Sequence, residues 1–430
     1  MKVLVISAEV WQDKTNGGNV LSNIFKNMEW EFAQIYCNPG CPENNICNKY
    51  YQMTDGMVIR NTFSHKPIGK SFDFVNKEDS KIKSNNIELP NQGFYAFFHK
   101  YRLGMFYFAK HFLWNISNWK NDNLKMFIDN FSPDIIFAPC YGDQFLLRLV
   151  RFIGDYTGKK IISYISDDHY TLHQFSLSPF FWAERFILRH ELKKTFPYYA
   201  LVYTMTEEQK RQCEKDFNGK MKILRKAASY VNTTDKYYVN DPIRIVYAGG
   251  IYLNRWKTLK ILADTIREFN EKNIRFVLDI YTANEVTEKI NSSLNDGVNC
   301  IIHPPVSQKE LEQIYHRSDI ALHVESFDLK NRLLVRMSFS TKIVDCLSSG
   351  CAVMAICDCK QGGYKYLKKE NAAICASNEK EVKKALNQII YDKNIIIEYA
   401  QKAKLCCTKN HNAIKIEKMI RKDFENTIIL

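Results

Sequence analysis

Short apolar runs alternate with stretches of helical periodicity along most of the chain, on both sides of one polar segment. In the first half, the runs at 2–7, 134–138 and 160–166 are each followed by apolar residues at helical spacing. Strands that alternate with helices form parallel sheets, because the helix returns the chain across a face of the sheet. The pattern therefore predicts an α/β fold with helices on both faces of parallel sheets.

The predicted strands are short and rich in Val, Ile, Leu, Phe and Tyr. In the first half of the chain they are 2–7, 32–37, 57–60, 134–138, 160–166, 200–205 and 221–225. In the second half they are 243–250, 275–282, 298–303 and 319–325, with a further strand after Gly350. Helices are predicted between them.

A chain of 430 residues is long enough for two or three domains. The segment 230–242 is polar, ends in Asp-Pro and lacks apolar periodicity, so we interpret it as a linker. We predict a first domain over 1–229 and a second over 243–410. Residues 411–430 form an amphipathic helix that we expect to pack back across the domain junction.

Composition narrows the class of protein. Hydrophobic residues make up 46% of the chain and charged residues 25%, which is typical of a soluble globular protein. No stretch is long and apolar enough to predict a membrane-spanning helix. The net charge of +13 favours an anionic partner, which could be nucleic acid, anionic lipid or a phosphorylated ligand.

The 13 cysteines are scattered and follow no secretory signal, so we expect free thiols and a cytoplasmic protein. Cys37, Cys41 and Cys47 lack the paired spacing of a zinc site. No Asp-x-Asp motif is placed to bind a divalent ion, since Asp167 and Asp168 are adjacent. We therefore predict no metal site and no cofactor.

Residues 92–119 are unusually aromatic and carry Lys100, Arg102 and Lys110. Basic and aromatic residues on opposite faces are typical of a helix at an anionic membrane surface. The aromatic residues extend nearly all round the helix, which equally suits a buried helix of the first domain. Both interpretations remain open at this point.

The stretch "SFSTKIVDCLSSGCAVMA" at 338–355 predicts a helix that Ser340 or Thr341 caps, followed by a strand. Lys342 falls in the first turn, where the helix dipole disfavours a cation. The lysine could form an ion pair with Asp345 one turn later. A bound anion at the helix start would account for it better.

Three further loops follow predicted strands, at the edge where open parallel sheets bind ligands. The first contains Gly17 and Gly18, where an ordinary turn is the competing interpretation. The second, "GGIYLNRWK" at 249–257, carries Arg255, which is suited to phosphate oxygens. In the third, Glu325 stands just past a buried strand, where an unpaired carboxylate is costly.

These motifs together resemble the retaining GT-B glycosyltransferases of the family-4 type, in particular a subgroup with a Ser-Thr-Lys motif. The resemblance covers most of the chain and is clearest over 243–376. It is carried by "YAGGIYLNR", by Glu325, and by "STKIVDCLSSGCAVMA", in which Gly350 and Val353 occupy the family's "GxPV" positions. The resemblance implies a GT-B fold, with two Rossmann-like domains that face a cleft.

The resemblance also implies roles for the residues of the donor site. Arg255, Thr341 and Lys342 would bind the donor diphosphate, with the backbone N–H groups of Gly17 and Gly18 assisting from the first domain.

Asp345 would bind the ribose, and Glu325 would face the transferred sugar as a catalytic residue. This chain departs from the family pattern in three ways. The spacing between the two acids exceeds seven, the second acid is Asp rather than Glu, and Ile251 stands where the family often has arginine.

In the first domain, "ISDDHY" at 165–170 closes a predicted strand. Members of the family often place a His-Asp pair near this position. Asp167, Asp168 and His169 are therefore candidate catalytic residues, although His169 could equally be a polar loop residue.

The implied activity is metal-independent transfer of a sugar, most simply a hexose, from a nucleotide-diphosphate sugar to a hydroxyl acceptor with retention. The acceptor would be a saccharide or a lipid-linked saccharide at the inner face of the membrane, in bacterial polysaccharide or glycoconjugate assembly. Two alternatives stay open: a nucleotide-sugar 2-epimerase of the same fold, and a non-catalytic basic protein that binds nucleic acid. Dispersed basic residues and the lack of a nucleic-acid motif argue against the second.

Overall fold

The computed structural model describes residues 1–13, 16–74, 87–88, 104–228, 231–232 and 235–429. These residues form two α/β domains, each built on a twisted sheet with helices on its faces. The expected fold class is confirmed.

The sheet of the first domain has the order β4-β3-β2-β1-β5-β6-β7-β8 in the described residues. All of its pairs are parallel except β3–β4, which is antiparallel. Its strands are β1 (Lys2–Ser7), β2 (Glu31–Tyr36), β3 (Lys49–Gln52), β4 (Lys70–Asp73), β5 (Ile135–Pro139), β6 (Ile161–Ile165), β7 (Tyr199–Thr204) and β8 (Met221–Ile223). Its helices are α1 (Asn16–Phe25), α2 (Asp55–Asn61), α3 (Gly104–Ile116), α4 (Asp122–Phe131), α5 (Gln144–Thr157), α6 (Pro179–Thr195) and α7 (Glu207–Asp216).

The sheet of the second domain has the order β11-β10-β9-β12-β13-β14, and all of its described pairs are parallel. Its strands are β9 (Ile243–Ala248), β10 (Phe276–Tyr281), β11 (Cys300–His303), β12 (Ile320–Val324), β13 (Ala352–Ile356) and β14 (Ile374–Ala376). The helices that follow are α8 (Arg255–Asn270), α9 (Glu288–Leu294), α10 (Gln308–Arg317), α11 (Leu329–Leu334), α12 (Lys342–Ser348), α13 (Gly362–Lys369), α14 (Glu379–Tyr391), α15 (Asn394–Asn410) and α16 (Ala413–Ile429).

In each sheet the strand order reverses beside the first strand, between β1 and β5 and between β9 and β12. The loops after these neighbouring strands lead to helices on opposite faces and leave a crevice at the carboxyl edge of the sheet. The crevice between β9 and β12 is where the second domain brings together the loop of Arg255 and the end of the strand before Glu325.

One predicted strand is wrong. Residues 57–60 belong to α2, whose start is capped by Thr54 through a hydrogen bond of 3.2 Å from the Met57 amide. Only Met57 and Val58 are buried there, which suits one face of a short helix. The sequence pattern also missed β3, β4 and β14, which are only three or four residues long.

Of the aromatic segment predicted at 92–119, residues 92–103 lie outside the described part of the chain. The remainder contains α3, where Trp114 is buried while Phe112 is 61% exposed. The described half of the segment therefore packs one side into the domain and leaves the other open. Among the described residues, no helix has the length and apolar character needed to cross a membrane.

The C-terminal helix α16 crosses back to the first domain, as expected. The ring of Phe424 is fully buried, with ring centroids 5.8 Å from Phe25 and 6.1 Å from Phe137. Asp423 of the same helix accepts hydrogen bonds of 2.7 and 2.8 Å from Lys222 and one of 2.8 Å from Tyr203. The end of the chain thus fastens the second domain to the first.

We expect Phe424→Ala to lower the free energy of unfolding by about 3–5 kcal/mol, because it leaves a cavity among the rings of Phe25, Trp30 and Phe137. Ile429→Ala is the matched control on the same helix, since Ile429 is 83% exposed and its loss should change stability by less than about 0.5 kcal/mol. Urea unfolding measures both variants. Equal effects of the two substitutions would contradict a structural role for this helix.

Candidate active site

A buried ion pair joins the two loops that border the crevice of the second domain. Arg255, the first residue of α8, donates from Nε and Nη2 to the two carboxylate oxygens of Glu325 at 2.8 and 3.0 Å. Both residues are buried, with 8% and 6% of their surface exposed. Burial lowers the pKa of Arg255, but the Glu325 carboxylate outweighs this effect and raises it. The two charges therefore neutralise each other.

Thr258 on the same helix also donates a hydrogen bond of 3.0 Å to the backbone carbonyl of Glu325. The third nitrogen of Arg255, Nη1, is buried and has no hydrogen-bond partner among the described residues. Glu325 thus holds the guanidinium in place with one donor left over for a ligand.

Lys342 begins α12 and extends beneath the loop after β9. Its ammonium lies 5.3 Å from the centroid of the Tyr247 ring, and its chain runs so close to Gly249 that a side chain there would overlap it. No carboxylate in the described part of the chain lies within ion-pair distance of it. Burial and repulsion by Arg255 lower the pKa of Lys342 to about 8. Lys342 is thus a partly buried cation without a counter-ion.

Asp345 does not pair with Lys342. Its carboxylate accepts a hydrogen bond of 2.8 Å from Lys226, which lies just after β8 in the first domain. Thr341 precedes α12 but its side chain does not cap it, so the expected capping role of Thr341 is wrong. Thr341 instead lines a small cavity of about 30 Å³ with residues of α1. The side chains of Thr341, Lys342 and Asp345 therefore have different neighbours.

Gly17 and Gly18 lie within the first turn of α1 rather than in a loop before it. This helix follows the central strand β1, at the crevice of the first sheet. Its first-turn N–H groups are the ones a helix leaves unpaired.

Of the candidate catalytic residues in the first domain, Asp168 organises its own loop. It is buried and accepts hydrogen bonds from the Thr171 amide at 2.9 Å and from Gln174 at 3.1 Å, and it pairs with Arg185 at 3.3 Å. A carboxylate with these partners is not free to act on a substrate.

Asp167 contacts the second domain, and His169 follows it two residues later on the same loop. Asp167 is exposed and accepts a hydrogen bond of 2.7 Å from Ser338 of the second domain. His169 packs against Gly142, where an added Cβ would lie 3.1 Å from the ring. Burial lowers the pKa of His169 despite the nearby Asp167 carboxylate, so the imidazole is neutral at neutral pH.

The loop between α11 and α12 closes the seam between the domains. Besides Ser338, the Met337 carbonyl of this loop accepts a hydrogen bond of 2.8 Å from Thr206. The Leu333 carbonyl, in the last turn of α11, accepts one of 3.2 Å from Gln174. Sequence reasoning missed Arg336 in this loop, as well as Lys226. Arg336 stands alone between Val335 and Met337, and Lys226 follows Arg225 at the end of a predicted strand, so neither has a spacing signal that could have revealed it.

No group of three or more His, Cys, Asp or Glu side chains is placed to hold a metal ion in the described ranges.

Two Rossmann-like domains that face each other across a cleft define the GT-B fold. Residues 263–418, which make up most of the second domain, match the family model described as glycosyl transferase-like. No curated protein matches the chain.

Solved structures of similar fold cover nearly the whole chain. Sucrose-phosphate synthase from Thermosynechococcus elongatus has a TM-score of 0.63 at 10% identity, over 99% of this chain and 98% of that one. Anabaena Alr3699/HepE in complex with UDP has a TM-score of 0.61 at 12% identity, over 99% of this chain and 100% of that one. An alpha,alpha-trehalose-phosphate synthase (UDP-forming) from Burkholderia vietnamiensis has a TM-score of 0.56 at 10% identity, over 99% and 100%. At these identities the likeness establishes the fold.

We expect Glu325→Gln to lower the free energy of unfolding by about 3–5 kcal/mol, because it leaves the Arg255 charge buried without a counter-charge. The double variant Arg255→Met/Glu325→Leu should recover most of this loss, since it removes both charges. Urea unfolding gives the three free energies.

The control is Glu398→Gln, which breaks the more exposed pair of Glu398 with Lys402 on α15 and should change stability by less than about 1 kcal/mol. If Glu325→Gln were no more destabilising than this control, the buried pair would not hold the two loops together.

Proposed function

We propose that the protein is a retaining glycosyltransferase of the family-4 type that transfers a hexose from a nucleotide-diphosphate sugar to a hydroxyl acceptor. The observation that carries this proposal is the Lys342 ammonium, a partly buried cation without a counter-ion at the crevice of the second sheet. The glycosyl transferase-like match over this domain supports it, as do the UDP complexes and UDP-forming activity named for proteins of the same fold.

Sugar transfer requires the crevice to stabilise the negative charge that develops on the leaving diphosphate. The bond between the anomeric carbon and the oxygen of the terminal phosphate breaks, and its electron pair remains on that oxygen. A bond forms from the acceptor oxygen to the anomeric carbon on the same face, and the acceptor proton passes to the leaving phosphate. Fixed cations stabilise the charge that develops on the diphosphate. Lys342 is suited to this task, while Nη1 of Arg255, whose charge Glu325 neutralises, is suited to donate a hydrogen bond to a phosphate oxygen. We propose that transfer needs neither a metal nor a cofactor.

The proposed roles of the acidic residues follow their surroundings. Glu325 orients Arg255 and does not act on the sugar directly. Asp345 binds the ribose only by giving up or sharing its contact with Lys226. In the first domain, Asp167 and His169 are the candidates to contact the acceptor, because they lie beside the seam.

We also propose that the acceptor is a saccharide carried by a lipid, as in bacterial polysaccharide assembly at the inner face of the membrane. The support is three exposed apolar side chains, Phe112 of α3, Leu177, and Phe180 of α6, two helices that meet where the rings of Phe108 and Phe180 lie 6.4 Å apart. These side chains are 61%, 91% and 50% exposed. Exposed apolar side chains on a protein with a net charge of +13 suit an anionic membrane surface.

We expect at least one of UDP, GDP, ADP, CDP and dTDP, or a sugar conjugate of it, to raise the melting temperature, because a ligand that binds only the folded state stabilises it. Thermal-shift measurements in EDTA also test whether binding needs a metal. Lys342→Ala should weaken nucleotide binding at least about tenfold, while the melting temperature without ligand changes little.

Stabilisation by RNA or DNA alone would overturn the proposal in favour of a nucleic-acid-binding protein. Release of an epimerised sugar without an acceptor would favour a 2-epimerase of the same fold. Unchanged nucleotide affinity in Lys342→Ala would remove Lys342 from the site.

The pH dependence of binding provides an independent check. An anion binds the protonated form of Lys342, and the pKa of Lys342 in the free protein is about 8. The affinity for a nucleoside diphosphate should therefore fall about tenfold between pH 7 and pH 9, because free Lys342 loses its proton over this range. Isothermal titration calorimetry measures the affinities.

Lys342→Arg should flatten this pH dependence, since arginine stays charged. A pH profile identical to that of the unmodified protein would contradict the assignment of Lys342.

A further inference from the structure

Three buried hydrogen-bond donors beside the seam have no partner among the described residues. They are Nε and Nη2 of Arg336 and Nε2 of Gln361. Gln361 is only 3% exposed. A buried donor without an acceptor is destabilising, and a buried charge without a counter-charge is more so. A site with such donors is built for a group that the protein itself does not supply.

The two residues meet at the start of α13. The amide of Gly362 donates a hydrogen bond of 2.9 Å to the carbonyl of Arg336, which places residue 336 directly beside residue 361. Gln361 precedes the helix, but its side chain does not cap it. The N-terminal end of a helix favours an anion, so the helix adds to the attraction of the guanidinium.

The same place lies against the first domain. A side chain at Gly362 would come within 2.6 Å of Thr206, and Thr206 bonds to the residue after Arg336. The loop of Arg336 and the start of α13 therefore contact the first domain at Thr206, and a ligand would reach the buried donors beside this contact when the two domains part.

The charges of the crevice also call for a second cation. Arg255 is neutralised by Glu325, so Lys342 is the remaining cation at the loop after β9. A nucleotide-diphosphate sugar carries a negative charge on each phosphate, and a further charge develops as the sugar leaves. Lys342 alone neutralises one of these negative charges. Arg336 lies six residues before it, on the loop that leads into α12.

We infer that Arg336 and Gln361, with the start of α13, bind an oxyanion of a substrate. This inference rests on the proposed function and extends it. The oxyanion is either the terminal phosphate of the donor or a phosphate or carboxylate on the acceptor, since both present the same acceptor atoms to a guanidinium.

The test compares the unmodified full chain with Arg336→Met. UDP, GDP, ADP, CDP and dTDP are each titrated by calorimetry, and sodium phosphate is titrated alone and with a saturating nucleoside diphosphate. A loss of at least tenfold in nucleoside diphosphate affinity supports the inference with the donor as source. Unchanged nucleotide affinity with loss of phosphate binding supports it with the acceptor as source. If neither affinity changes, the inference is overturned.

Stability separates this role from a structural one. Removing a buried charge that has no partner should leave the melting temperature of the unliganded protein unchanged or higher. Arg317→Met, at an exposed arginine of α10, is the matched control and should alter neither binding nor melting. If Arg336→Met fails to fold, Arg336→Lys and Gln361→Ala replace it. Oxyanion affinities within twofold of the unmodified protein in both would overturn the inference.

The same titrations distinguish a failure of this inference from a failure of the proposed function. If the unmodified protein binds none of the five nucleoside diphosphates, the proposed function fails. Phosphate binding that Arg336→Met abolishes would still support the oxyanion site in that case. Absence of phosphate binding as well would overturn both.

Discussion

The buried ion pair between Arg255 and Glu325 is the interaction on which the candidate site depends. It joins the start of α8 to the end of β12 across the point where the strand order of the second sheet reverses. Because a buried pair is stable only when both partners are present, the two loops must move or stay together. Because Glu325 is engaged by Arg255, its carboxylate is not available to act on a sugar. The positive charge of the crevice is then that of Lys342.

The second constraint is the way the two domains are held. The helix α16 returns to the first domain and buries Phe424 there, while the loop between α11 and α12 touches Thr206 and Asp167 across the seam. The first of these contacts combines the buried ring of Phe424 with the ion pair of Asp423 and Lys222, and the second consists of a few hydrogen bonds. The domains are thus tied firmly at the chain end and lightly at the cleft, which suits a site that opens to admit substrates.

Much of the fold could be predicted from the sequence, because strands buried on both faces are continuous apolar runs. Residues 57–60 misled the prediction, since three consecutive apolar residues suit a strand, whereas in the helix only Met57 and Val58 are buried and Ile59 is exposed. The unusual position of Lys342 could also be recognised in the sequence, because the dipole of the helix that it begins disfavours a cation there.

The partners of these residues could not be predicted. Glu325 lies 70 residues from Arg255, and Lys226 lies 119 residues from Asp345. Spacing in the sequence carries no information about such contacts, which depend on how the loops and domains pack.

We propose that Lys342 binds the diphosphate of a sugar donor at the carboxyl ends of β9 and β12. A crystal structure of the protein with the nucleoside diphosphate that stabilises it most tests this directly. We expect a phosphate oxygen within about 3 Å of the Lys342 ammonium, beside Gly249. A nucleotide bound away from this crevice, with Lys342 still over the ring of Tyr247 and without an anion, would contradict it.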